Sequence, residues 1–177
     1  LRASEYFKAY QKFGDFPIIT RPLNDNKEEL VEANKRSPRN EVARFILSDL
    51  DKAAALLEHK MMKTTRINKD VALLLKSRVA LFEGTWEKYH RAKNTPFYDK
   101  KVTDEKINSY LRQAADVAKD VIDEGVWSIS KGNPNTAYRD LFITLDLSHN
   151  PEVLWWKKYD AANNIGHSVT RYLNKGG

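Results

Sequence analysis

Hydrophobic residues recur at helical spacing over three long stretches of the chain. The richest runs from Asn68 to Trp86, where Val71, Leu74, Leu75, Val79 and Phe82 follow the i, i+3, i+4 spacing of one helical face. Leu73 and Leu81 carry apolar surface to a second side, so this helix is expected to be covered from several directions and to lie centrally. Ser77, Ala80 and Gly84 also fall at helical spacing and predict a strip along which a neighbouring helix approaches closely. The run is too long, and too rich in Leu, Ala and Lys, for a strand.

The stretch before it carries start signals. Ser37 is a good N-cap, Pro38 suits the first helical position, and Glu41 places negative charge near the helix N-terminus. Val42, Ile46, Leu50, Ala53 and Leu57 then form the buried face, and a turn over His59 to Ile67 predicts an antiparallel helical hairpin with the central helix. A third helix is expected from Asp104 to Glu124, capped by Thr103 and stopped by Gly125. Its predicted core stripe is Ile107, Leu111, Ala114, Ala118, Val121 and Ile122.

The remaining segments are shorter or less periodic. Ala3, Tyr6, Phe7 and Tyr10 mark one face of a helix that ends at Gly14, and Pro17 keeps Asp15 to Thr20 extended. Arg21 to Arg36 reads as a polar connection with one helical turn near Glu28 to Ala33, and Glu87 to Val102 as an aromatic, basic loop. After Gly125, Val126 to Ser130 and Glu152 to Tyr159 alternate like short strands. They flank a turn cluster at Lys131 to Thr136 and a helical turn at Tyr138 to Phe142. Asp160 to Gly177 has no period and reads as loop.

Composition narrows the function classes. A chain of 177 residues, 41% hydrophobic and 31% charged, can bury a core, and it contains no transmembrane run or secretory apolar region. The absence of cysteine excludes disulfides and thiolate zinc sites. The net charge of +6 comes from 30 basic residues interspersed with 24 acidic ones, without a basic block, which predicts a mixed solvated surface and no nucleic-acid partner. No P-loop, dinucleotide glycine motif, Gly-x-Ser-x-Gly element, His-Glu-x-x-His element or EF-hand loop occurs. Glu87 and His90 have the Glu-x-x-His spacing of di-iron bundles, but in a single copy. Asp49 and Asp51, two apart on a helix, do not face each other as an acid–base pair. No enzyme activity, cofactor or metal is expected.

In order along the chain, RASEYFKAYQKFGDFPIIT, SPRNEVARFILSDLDKAAALL, RINKDVALLLKSRVALFEGTW, AADVAKDVIDEGVWSI, YRDLF and NPEVLWW resemble the SusD/RagB family of Bacteroidetes outer-membrane nutrient-binding lipoproteins. The resemblance covers Leu1 to about Tyr159. It implies a mainly α fold of tetratricopeptide-like helical hairpins with short strands and long loops. Residues 1–177 would then be part of a single SusD-like helical domain, truncated at both ends, as a start inside helical periodicity also suggests. The implied role is non-catalytic capture of oligosaccharide at the cell surface for a SusC-like TonB-dependent transporter. Such proteins hold to the outer membrane only through a lipidated cysteine, which here would lie outside residues 1–177. The competing reading is a tetratricopeptide-like scaffold for protein–protein interaction, since helical hairpins alone do not fix function.

No matched motif is itself a ligand motif, so candidate ligand residues come from sugar chemistry. An aromatic face covers the C–H side of a pyranose ring, and amides or carboxylates beside it bond the hydroxyls. Trp156, Tyr159, Asp160, Asn163 and Asn164 supply that combination, with core packing and ordinary loop as the alternative reading of the same residues. On a strand, Trp155 and Trp156 would point to opposite faces. Trp127 is expected in the core and Trp86 as a cap on the central helix; Tyr89, Phe97 and Tyr98 form a second aromatic grouping.

Overall fold

Six helices carry the fold in the computed structural model, which describes residues 1–59, 65–160 and 162–166. They are α1 (Arg2–Phe13), α2 (Lys27–Ala33), α3 (Arg39–Leu56), α4 (Lys69–Ala92), α5 (Asp104–Asp123) and α6 (Ala137–Ile143). The mainly α, hairpin architecture expected from the periodicity is the observed one. Residues 60–64, most of the predicted turn between α3 and α4, lie outside the described residues.

Several helix ends follow local chemistry; the start of α3 does not. Gly14 closes α1 at φ 67°, a region where a side chain is strained, and its N–H returns to the Tyr10 carbonyl at 2.9 Å. Asn68 caps α4 by accepting from Val71 N at 3.0 Å, and Thr103 caps α5 by accepting from Lys106 N at 3.3 Å. Ser37, by contrast, does not cap α3. Its backbone pairs with Phe16 in an antiparallel bridge, and Pro38 takes the cap position. The orphan N–H of Arg39 donates instead to Asp15 Oδ1 at 2.8 Å. The cap reaches α3 from the far side of a long connection.

Three antiparallel contacts build the stack. Arg2 at the start of α1 pairs with Asp49 in α3 at 2.7 Å, while Arg39 at the start of α3 meets Glu83 near the end of α4. Arg91 at the end of α4 pairs with Asp104 at the start of α5 at 3.1 Å. Ala3, Phe7, Tyr10, Val42, Ile46, Leu50, Val79 and Ala80 lie in the core between these helices, with Tyr110 and Ala114 from α5. The small-residue strip of α4 is the seam with α5. A Cβ added at Gly84 would lie 2.9 Å from Leu111 Cδ2 and 3.1 Å from Tyr110 Cβ, and Ser77 Oγ donates to the Ala114 carbonyl at 2.7 Å. That close approach turns α5 so that Tyr110 and Val117 are buried and Ile122, expected in the core, is 74% exposed. The central helix also runs beyond Trp86 to Ala92. Trp86 is therefore mid-helix, not a cap, because no Gly or Pro interrupts the chain before Pro96 and Glu87 turns into the interior.

The two strand-like segments after α5 are not strands; only isolated bridges occur among the described residues. Ser128 N donates to the Pro151 carbonyl at 3.2 Å, and Pro151 has no N–H to return. The Leu154 carbonyl accepts from Asn68 Nδ2 at 3.1 Å, and Trp127 Nε1 donates to Asp70 Oδ2 at 2.8 Å. The Leu154 carbonyl, which a ladder would use, is bonded to the start of α4 instead. Trp127 is accordingly half-buried against a buried carboxylate, which also lies 2.8 Å from His59 Nδ1.

Candidate functional site

The bonds from Asn68 and Asp70 hold the segment after α5 at the N-terminal end of α4, and the predicted ligand residues follow directly in the chain. Asp160 and Ile165 exchange backbone bonds of 2.8 and 2.9 Å, closing a tight turn. Within it the Asp160 carboxylate accepts from Ala162 N at 3.0 Å, Asn163 N at 3.3 Å and Asn163 Nδ2 at 2.9 Å. The bond from the Asn163 side chain, with the backbone bonds behind it, holds this carboxyl below its ordinary range. Asn164 sits at φ 54°, which Asn tolerates better than most residues. The structure thus joins Asp160, Asn163 and Asn164 in one turn, with Tyr159 immediately before it. The Tyr159 ring is 51% exposed, and Lys157 Nζ stands 5.0 Å from its centroid. Trp156 is half-buried, whereas Trp155 is 53% exposed. Tyr159, Asn164 and the fixed Asp160 carboxylate therefore lie close together around one turn.

A second feature lies at the other end of α4 and had no counterpart in the sequence reading. Glu83 and Glu87 are fully buried, and Arg39 nearly so. Arg39 Nε donates to Glu83 Oε2 at 3.0 Å, and the Tyr10 hydroxyl donates to the same oxygen. The guanidinium lies 4.2 Å from the Tyr10 ring centroid and 4.0 Å from that of Trp86, between two aromatic faces. Glu87 Oε2 accepts from Asp99 N at 3.1 Å, which ties the loop after α4 to the helix. Burial raises the Glu83 carboxyl above its ordinary value, with Arg39 opposing. Burial, and then the neighbouring Glu83 charge, push Glu87 up to about 7. Burial likewise pushes the Tyr110 phenol up to about 12. Arg39 Nη2, Glu83 Oε1, Glu87 Oε1 and the Tyr110 hydroxyl have no hydrogen-bond partner among the described residues. The available signal was positional: residues 79, 83 and 87 continue one face of α4 from apolar to acidic.

Above this network opens a cavity of about 820 Å³ between the end of α1, the start of α3 and the loop after α4. Its wall includes Lys12, Phe13, Arg36, Arg39, Trp86, Phe97, Tyr98, Asp99 and Lys101. Trp86 Nε1 donates to the Phe97 carbonyl at 2.8 Å and fixes the loop against α4. The His90 ring lies 4.2 Å from that of Trp86, tilted 41° to it, with Nδ1 2.8 Å from Thr95 Oγ1, while Glu87 faces inward, so the Glu-x-x-His pair does not converge. Among the described residues no group of three or more His, Asp or Glu side chains is placed to hold a metal. At 1.5 Å per residue, the span of α4 from Asp70 to Glu87 puts roughly 25 Å of helix between the two regions.

No protein-family model and no curated protein matches the chain. Among solved structures it is similar to a SusD-like protein from Bacteroides fragilis, with a TM-score of 0.62 and 24% sequence identity. The similarity covers 93% of this chain and 27% of that one. The chain has a SusD-like fold and spans about a quarter of the length of the protein it matches.

Proposed function

We propose that this chain is part of a cell-surface nutrient-binding protein that captures oligosaccharide without altering it and passes it to a SusC-like TonB-dependent transporter. The observation that carries this reading is the SusD-like fold over 93% of the chain. The surface chemistry supports it. Trp156 and Tyr159 supply aromatic rings for the C–H side of a sugar, and Asp160, Asn163 and Asn164 supply acceptors and donors for its hydroxyls. Because Asp160 and Asn163 already share bonds, the turn is shaped before ligand arrives, which lowers the ordering cost of binding. Attachment to the outer membrane is assigned to a lipid anchor outside residues 1–177. Among the described residues no helix is long and apolar enough to cross a membrane.

Calorimetry of the full chain against a panel of neutral and acidic oligosaccharides tests the reading. Binding is expected, and Tyr159→Ala should weaken binding of neutral oligosaccharides about tenfold, the loss of one stacked ring. Absence of any saccharide binding, with capture of peptides in its place, would favour the helical-scaffold alternative and end the carbohydrate reading.

A further inference from the structure

We propose that the cavity between the end of α1, the start of α3 and the loop after α4 is a second saccharide site, selective for acidic sugars such as uronic acids. The proposal rests on the saccharide reading for its ligand class. Its place and its charge preference come from the cavity itself.

Size and pre-organisation come first. A volume of about 820 Å³ falls in the range of ligand pockets, roughly 300–1,000 Å³. The loop forming one wall is held by three separate bonds: Trp86 Nε1 to the Phe97 carbonyl, Asp99 N to Glu87, and Asn40 Nδ2 to Asp99 Oδ2 at 2.7 Å. Phe97 is 62% exposed and Phe13 59%, although both belong to large apolar residues that burial would favour. Phe13 stacks on Phe16 and Phe97 packs edge-on with His90, and the exposed remainder of each ring is offered to the C–H side of a pyranose.

Charge is the second argument. Lys12, Arg36 and Lys101 line the cavity, and none makes an ion pair with a described residue. Three acidic residues share the wall with these cations, and Glu41 among them lies 3.9 Å from Arg44, itself a wall residue. Asp15 accepts from the Arg39 amide, and Asp99 accepts from Asn40 and from Lys101 N at 2.8 Å. Beneath the floor, Glu83 neutralises Arg39, and the raised Glu87 carboxyl holds its proton up to about neutral pH, so the buried acids repel an anion little. The N-terminus of α3 opens on the same side and adds partial positive charge. A neutral sugar would leave the three cations unpaired. A uronate carboxylate gives them a partner, while its ring still meets the aromatic faces.

The test uses calorimetry on the full chain with tetrasaccharides of galacturonate, mannuronate and hyaluronan, beside neutral galactose and mannose tetrasaccharides. At least one acidic tetrasaccharide is expected to bind about tenfold tighter than its neutral counterpart, and to weaken as NaCl rises from about 50 to about 500 mM. Arg36→Ala with Lys101→Ala should cost about tenfold, roughly threefold for each exposed ion pair. These side chains are exposed, and circular dichroism would verify that the variants fold. Phe97→Ala should weaken acidic ligands and leave neutral ones unchanged. Neutral binding that is lost in Tyr159→Ala, with no acidic ligand bound, would overturn the second site and leave the proposed function standing. Acidic binding indifferent to Arg36, Lys101 and Phe97 would also overturn it. Absence of all saccharide binding removes both readings together.

Discussion

Glu87 keeps its proton at a pH where most carboxyls have lost theirs. Its value of about 7, against an ordinary 4.5, follows from full burial beside Glu83. Between those two values the folded chain holds a proton that the unfolded chain has released, so this group's stabilisation is complete below about pH 4.5 and disappears as pH rises through about 7. The full shift corresponds to a loss of about 3 kcal/mol. Urea unfolding of the wild type and Glu87→Gln at about pH 5 and about pH 8 isolates the Glu87–Glu83 pair, since the carboxyls away from it cancel in the difference. Gln keeps an acceptor for the Asp99 amide and cannot ionise. The variant should match the wild type at the lower pH and exceed it at the higher. An identical gap at both values would remove the assignment. At this scale the sequence was least legible. A charged residue on an apolar face reads as solvated unless its partner is known, and Arg39 and Tyr10 come from two other helices. Asp49 illustrates the same limit: it reads as an exposed acid, yet Arg2 pairs with it from α1 and holds its carboxyl below the ordinary range.

At the scale of elements, the α4–α5 seam depends on Gly84. Any side chain there meets Leu111 and Tyr110, and a β-branched one also has nowhere to rotate inside a helix. Gly84→Val is therefore expected to destabilise the fold by roughly 1–3 kcal/mol despite the poor helix propensity of glycine, read as a lower urea midpoint with an unchanged slope. A stability equal to or above the wild type would show that α5 can step back freely. The seam was legible beforehand, because small residues at helical spacing carry their meaning within one element. The N-terminus of α3 was legible only in part. Ser37-Pro38 looks like a local cap, but Ser37 is engaged by Phe16, and the cap comes from Asp15. Likewise the alternation after α5 suggested strands, whereas side chains of Asn68 and Asp70 hold that segment. Period predicts an element when the bonds are internal to it, and fails when distant side chains supply them.

Across the whole molecule, α4 separates two surfaces that the proposed functions assign to different sugars. Asn68 and Asp70 at one end hold the segment that leads to Tyr159, whereas Trp86 and Glu87 at the other end fix the loop that carries Phe97. No residue named in either region bonds to both, and roughly 25 Å of helix lies between them. Substitutions that far apart are expected to act additively, within about 0.5 kcal/mol. The double variant Tyr159→Ala with Phe97→Ala should therefore lose neutral saccharide to the extent of Tyr159→Ala alone, and acidic saccharide to the extent of Phe97→Ala alone. Calorimetry of the two single variants and the double variant with both ligand types measures the coupling directly. Tetrasaccharides are the right probes, because a longer acidic chain able to reach both ends would couple them through the ligand and not through the protein. Coupling well above that limit with short ligands would mean that α4 transmits a shift between its ends. The packed seam at Gly84 and the core around Val79 and Ala80 argue against such movement, since close-packed interiors resist small displacements.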